Sequence, residues 1–325
     1  MFHGDLPTID TYGSWLSARE QQSGGKFNWT LQTYLHLNSE GVQCELTRKL
    51  PSEGILVAHR DFLTPALRPG PHLLIVCLLA DRTPHPYAQF HVVQNPLQLT
   101  IFRPKELWPT FYIPHWPQPG LIPRDPGRGG RFETAAYSGH DDNIAGELRE
   151  RVWKARVRDL GLSWCLVPRR HWHDYSAVDV VVAIRSFKKQ DHVHKPPSKL
   201  FNAWHAGVPA ILGRESAYRN ARRGDLDYLE ATSVEAAIAA LKRLRDDRDL
   251  RRAMVENGRR RAKDFQASKL VKRWRSLLTN ELAATYTEWC GASANARANF
   301  LERRANSFSS GQTLSLLAGA IKIPR

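Results

Sequence analysis

The sequence predicts an α/β protein of two domains, each built on a mostly parallel sheet. Three observations carry this. Short apolar runs of strand length alternate with a helical stripe through the first third. A stretch dense in proline and glycine then interrupts the pattern, and the same alternation resumes beyond it. A chain of 325 residues, 42% hydrophobic, is long enough to bury two cores.

Taken in order, 28–38 gives a helix with Trp29, Leu31, Tyr34 and Leu35 on one side, ending before Gly41. Runs rich in Val, Ile and Leu at 43–47, 55–58, 73–79 and 90–93 read as strands. Strand and helix in alternation argue for a parallel sheet covered on both faces. Residues 111–130 hold five prolines, Pro114, Pro117, Pro119, Pro123 and Pro126, and four glycines, a composition that suits an interdomain linker. Beyond it, strands are expected at 133–138, 162–167, 178–184 and 208–212. A helix is expected over 144–160, with Ile144, Leu148, Val152 and Ala155 inward. Thr232-Ser-Val-Glu235 reads as a capping box opening a helix, and two more helices follow near 249–263 and 269–282. After Cys290 the pattern weakens, and 291–325 is expected to be a loosely held tail.

The formal charge of +15 points to anionic partners, which include nucleotides, acidic glycans, anionic lipid and nucleic acid. Basic runs within 243–275 lie on amphipathic helices, and they suit either a solvated face or an anionic membrane surface. The four cysteines are scattered and form neither a zinc nor a disulfide pattern, which fits a reducing cytosol. The longest apolar run, 73–80, is far short of the roughly 20 residues that span a bilayer, and the N-terminus lacks the order of a signal peptide. A cytoplasmic location, at the inner face of the membrane where the acceptor is lipid-linked, is expected. Neither Gly-x-Gly-x-x-Gly after a strand nor Gly-x4-Gly-Lys-Ser/Thr occurs, which argues against a dehydrogenase and a P-loop ATPase.

The most informative segment runs from His192 to Leu212. Pro196-Pro197 suits a helix entry, and Gly207 and Pro209 stop the helix before a buried strand. Lys195, Ser198, Lys199 and Asn202 recur at three- and four-residue intervals on one side. Lysines at a helix start oppose its dipole unless an anion binds there, and a helix N-terminus with two ammonium groups suits a diphosphate.

Lys195-Pro-Pro-Ser-Lys-Leu-Phe-Asn-Ala-Trp-His-Ala-Gly-Val-Pro209 resembles the donor-site motif of GT-B glycosyltransferases, those of the glycosyltransferase group 1 and family 4-like superfamily. Many retaining members carry two glutamates in that motif, and His194 and Asn202 stand at their places here, so both stereochemical outcomes stay open. The strand 178–184 and the loop Ala210-Ile-Leu-Gly-Arg-Glu-Ser-Ala217 agree in order with the family, and Gly24-Gly25 resembles its N-terminal glycine loop. The resemblance implies two facing doubly wound Rossmann-like domains with an interdomain cleft. An acceptor domain would cover 1–115, a donor domain 116–267, a returning helix 268–290 and a tail 291–325.

It also implies transfer of a sugar from a nucleotide diphosphate to a glycan, lipid-linked or other hydroxyl acceptor in cell-surface polysaccharide synthesis. The nucleotide sugar is then the substrate, with neither metal nor cofactor. Gly25, Lys195, Ser198, Lys199, Asn202, Glu215 and Ser216 are the expected donor-binding residues, with His85 or Asp81 as the base. Arg124, Arg128 and Arg131 flank the linker and suit either contact with donor phosphate or plain solvation. The rival classes are a protein of the same fold that binds a sugar nucleotide without transferring it, and a nucleic-acid-binding protein. No nucleic-acid-binding motif accompanies the charge, so nucleic acid is not an expected partner.

Overall fold

A computed structural model describes residues 12–18, 25–102 and 109–309. In chain order its helices are α1 (Tyr12–Ala18), α2 (Gly25–Ser39), α3 (Leu97–Phe102), α4 (Arg151–Asp159), α5 (Ser198–Ala206) and α6 (Ser216–Ala221). They continue with α7 (Val234–Asp246), α8 (Arg248–Ala262), α9 (Ala267–Leu277), α10 (Ala283–Gly291) and α11 (Ala294–Ser309). The strands are β1 (Glu53–His59), β2 (His72–Leu78), β3 (Phe90–Val93), β4 (Thr110–Tyr112), β5 (Thr134–Tyr137), β6 (Ser163–Leu166), β7 (Val180–Ala183), β8 (Ala210–Leu212) and β9 (Leu229–Glu230). The chain divides into two compact units: Met1–Trp116 with Val193–Pro196 and Ala267–Arg325, and Pro117–His192 with Pro197–Gln266.

In the first unit four parallel strands run in the order β1-β2-β3-β4. Strand β2 shows why it sits inside. Leu73 to Leu78 are all buried, and their period of two splits them between two cores. Leu74, Val76 and Leu78 meet Trp29 of α2 and Leu270, Val271, Trp274 and Leu277 of α9 on one face, while Leu73, Ile75 and Cys77 meet Leu56, Ala58 and Ala88 on the other.

Segment 43–47 is not a strand. Gly41 closes α2 in the left-handed region at φ 76°, the Val42 amide returns to Leu37 O at 3.0 Å, and Thr47 folds locally onto Lys49, accepting from its amide at 3.2 Å and donating to its carbonyl at 3.0 Å. With residues 43–45 exposed, these local bonds win over a ladder.

Residues 294–309, expected as loose tail, form α11. The Ser293 hydroxyl caps it by accepting from the Ala296 amide at 3.2 Å. Phe300 packs edge-on against Trp289 at 5.4 Å, and the buried Arg304 lies over Phe300 at 4.6 Å. One aromatic and the stem of an arginine anchor this helix, so no aliphatic stripe announces it.

In the second unit five parallel strands run β6-β5-β7-β8-β9. Of the linker-like stretch, residues 117–130 group with this unit: Ile122 N donates to His173 O at 2.8 Å and Arg124 N to Ala206 O at 2.9 Å. The helix expected over 144–160 is confined to α4. Glu150 is extended at ψ 157°, and the preceding turns are 3-10. That break resets the phase, so Trp153 and Val157 turn inward and Val152 is 64% exposed. Helix α7 is capped by Ser233, which accepts from Ala236 N at 3.1 Å, one residue after the expected Thr232.

Candidate functional site

The second sheet reverses strand order between β5 and β7. Ligands of open α/β sheets bind outside the carboxyl ends of the strands at such a reversal. Helix α5 begins at that end, with Pro197 at its cap, where no side chain accepts from the first amides. It stops at Gly207, whose φ of 68° is left-handed. Lys199 in its first turn is part-buried, and its Nζ donates to the carbonyl of Ser138, the residue after β5. The same amine lies 5.8 Å from the Tyr137 ring and 5.6 Å from the Trp172 ring.

Arg185, two residues beyond β7, donates through Nε to Glu215 Oε2 at 2.8 Å and through its terminal nitrogen to Asn143 Oδ1 at 3.0 Å. Burial, and after it the positive charge of Arg185, lower the Lys199 amine from 10.5 to about 7, with Glu215 opposing. A lysine, an arginine and an uncapped helix start are thus gathered at one sheet end, a suitable cradle for a departing anion. Arg185, Ser138 and Trp172 were not singled out from sequence. The available signal was position, since Ser138 ends, and Arg185 directly follows, a segment that reads as a strand.

The expected site residues scatter more widely. Lys199 and Glu215 come together through Arg185. Glu215 is buried in that ion pair, and Ser216 is buried with Oγ donating to Asp191 O at 2.6 Å. Asn202 is buried as well, and its Oδ1 accepts from Gln118 N at 3.2 Å. Ser198 begins α5 beside Lys199. Lys195 precedes α5 and groups with the first unit, where it pairs with Asp81 at 2.7 Å. Gly25 is the exposed first residue of α2.

His85 is not placed as a base. Its Nδ1 accepts from Tyr87 N at 3.2 Å and Ala88 N at 3.0 Å, which assigns the proton to Nε2, donating to Thr64 O at 2.9 Å. Burial drives it down to about 4, and both ring nitrogens are committed to the main chain. For Asp81, burial works to raise the carboxyl, yet Lys195 and then Arg82, at 3.2 Å, outweigh it and hold the group below the ordinary carboxylate range. Arg124 and Arg128 pair with Asp179 ahead of β7, at the sheet end opposite Lys199, so they do not serve the donor cradle.

Residues 131–279 match the family model described as glycosyl transferase-like. Among solved structures the chain is similar to the pneumococcal O-GlcNAc transferase GtfA in complex with UDP and GlcNAc, at 12% identity over 68% of this chain and 54% of that one, with a TM-score of 0.50. It is also similar to a sucrose-phosphate synthase from Thermosynechococcus elongatus (16% identity, 61% and 60% covered, TM-score 0.45). Anabaena HepE in complex with UDP is a third likeness (11%, 64% and 72%, TM-score 0.45). No curated protein matches by sequence. The chain spans 60% and 54% of the length of the synthase and the pneumococcal structure. The fold shared with the pneumococcal transferase is of the GT-B class, and residues 131–279, under half of the chain, are the part that the glycosyl transferase-like family model matches.

Proposed function

We propose that the chain is a glycosyltransferase, taking a sugar from a nucleoside diphosphate held at the carboxyl ends of the second sheet. One observation carries this reading: Lys199, in the first turn of α5 with its amine on the carbonyl of Ser138, stands at the carboxyl ends of the strands where their order reverses. An arriving diphosphate supplies the charge that burial withholds, so the amine is protonated where negative charge develops on the leaving group. Lysine, arginine and helix amides supply the positive charge, and we infer that no divalent metal is needed. The acceptor is a hydroxyl of a glycan or lipid-linked sugar in cell-surface polysaccharide synthesis, on the cytoplasmic side of the membrane. The resemblance supports this acceptor class.

Binding without transfer is a second reading, favoured by His194 and Asn202 at the positions of the family's glutamates and by the commitment of His85 to the main chain. The test is a melting-temperature screen with UDP, GDP and dTDP in the presence of a chelator, followed by transfer assays with the matching radiolabelled sugar nucleotides. Stabilisation with turnover is expected. Stabilisation without turnover on any acceptor selects the second reading, and no stabilisation by any nucleotide overturns both.

A further inference from the structure

The amino ends of the second sheet carry another basic site. Asp179, just before β7, and Pro209, just before β8, combine with residues from 123–132 and one face of α8 to enclose a cavity of about 380 Å³. That volume is in the range of small-molecule pockets. Because all five strands are parallel, the cavity lies at the end of the sheet opposite Lys199. Arg124, Arg131, Arg248, Arg251, Arg252 and Arg259 line it. The last four come from α8, where their spacing sets them on one face. Like charges three and four residues apart on a helix repel.

Counter-charge is scarce. The cavity's carboxylate, Asp179, is already occupied: it takes Arg124 at 2.9 Å, Arg128 at 2.7 and 3.1 Å, and the amides of Glu133 and Thr134 at 2.9 and 3.0 Å. Arg252 has Asp249 at 3.6 Å, an exposed pair of little strength. Arg131 donates to the carbonyls of Gly127 and Arg128, and Arg251 to those of Gly130, Leu244 and Arg245. Carbonyls accept those hydrogen bonds without neutralising the guanidinium charge. Arg251 is also laid against Phe132 at 4.9 Å. Among the described residues, neither Arg248 nor Arg259 has a carboxylate within ion-pair distance. Burial, and then Arg248 and Arg124, push Arg251 below the ordinary guanidinium range. The backbone comes close as well, since a Cβ on Gly130 would collide with the Arg248 guanidinium.

We propose that this cavity binds a compact polyanion bearing two or more phosphate groups, free or at the head of a lipid, at a site distinct from the donor cradle. The guanidinium fork matches phosphate oxygens bidentately, and several forks around one small cavity suit more than one phosphate. The proposal stands whether or not the chain transfers sugar.

Isothermal titration of the full chain with inorganic tripolyphosphate tests it. Binding is expected in the wild type and should persist in Lys199→Ala, which removes only the share taken by the donor cradle. The double variant Arg248→Ala with Arg259→Ala should lose affinity by about tenfold or more, with its circular dichroism unchanged. Should that variant fail to fold, Arg248→Lys with Arg259→Lys keeps the charge but loses the fork, and it should still bind measurably more weakly. Co-sedimentation with phosphatidylcholine vesicles, with and without cardiolipin, separates the sources. Capture by cardiolipin that the alanine pair abolishes assigns a lipid head, and tripolyphosphate binding without capture assigns a free ligand. Absence of both, equal affinity in a folded alanine pair, or loss of tripolyphosphate binding in Lys199→Ala overturns the proposal.

Discussion

Lys199 and His85 are both titratable side chains moved well off their ordinary behaviour, and the cause decides what each can do. For Lys199 the amine falls from 10.5 to about 7. Between those values the unfolded chain holds a proton that the folded chain does not, so this residue makes stability rise with pH across that window, and its penalty is complete below pH 7. A diphosphate that restores the charge must bring a proton with it. Titration calorimetry with UDP near pH 8, in buffers of different ionisation enthalpy, is therefore expected to show uptake approaching one proton, vanishing near pH 6. Lys199→Met should abolish that uptake and weaken UDP by about 1.5–3 kcal/mol. Unchanged uptake in the variant would remove Lys199 from the site. His85 differs because its partners are the main chain of Thr64, Tyr87 and Ala88. His85→Ala strands those buried groups, and urea unfolding should show a loss of about 2–4 kcal/mol with UDP affinity unchanged. A stable variant with reduced sugar transfer would return His85 to the chemistry. From sequence, Lys199 was marked by its place at a helix start, while for His85 nothing in a chain of letters reports where a ring nitrogen finds its partner.

Among the elements, α5 and α8 pack so closely that glycine is required between them. A Cβ at Gly258 would lie 2.9 Å from Cδ1 and 3.4 Å from Cα of Trp204, while Phe201 stacks on Phe265 at 3.9 Å. Two effects oppose each other in Gly258→Ala: a helix-interior alanine gains up to about 1 kcal/mol in propensity, and overpacking costs about 1–3 kcal/mol. The buried indole cannot swing away, so net destabilisation is expected in chemical denaturation, and a raised midpoint would show that the helices separate freely. Elements with both faces covered were legible in the sequence. The run Val180–Ala183 is buried throughout, and Leu73 to Leu78 fills two cores at once. Elements whose phase is set by one backbone angle were not. Glu150 breaks the helix expected over 144–160 and moves the inward stripe from Val152 to Trp153 and Val157. The donor motif gave α5 and Lys199, but Arg185 enters only once the parallel strands align their carboxyl ends.

At the scale of the whole molecule, the chain leaves the first unit after Trp116, rejoins it briefly at Val193–Pro196 and returns at Ala267, so the first sheet is covered by helices some 200 residues away in sequence. Among the described residues, the core of the second unit, built on Tyr137, Trp153, Val180 to Ile184 and Trp204, shares no residue with the larger core of the first, built on Trp29, Leu74, Val76 and Trp274. The arginines of α8 show the same dependence on topology. Their charge is plain in the sequence, yet parallel strand order is what sends them to the amino ends of the sheet and Lys199 to the carboxyl ends. Trp274 offers the sharpest test of the divided core. It is fully buried on α9 against the first sheet, and truncating a buried tryptophan to alanine costs about 3–5 kcal/mol in transfer and cavity terms. Scanning calorimetry of Trp274→Ala, with and without UDP, should show the transition of the first unit falling by many degrees. The second unit is identified as the one whose transition UDP raises, and it should keep its midpoint. If both transitions fall by the same amount, the two cores unfold as one cooperative body, and the division at Trp116 and Ala267 describes connectivity without describing stability.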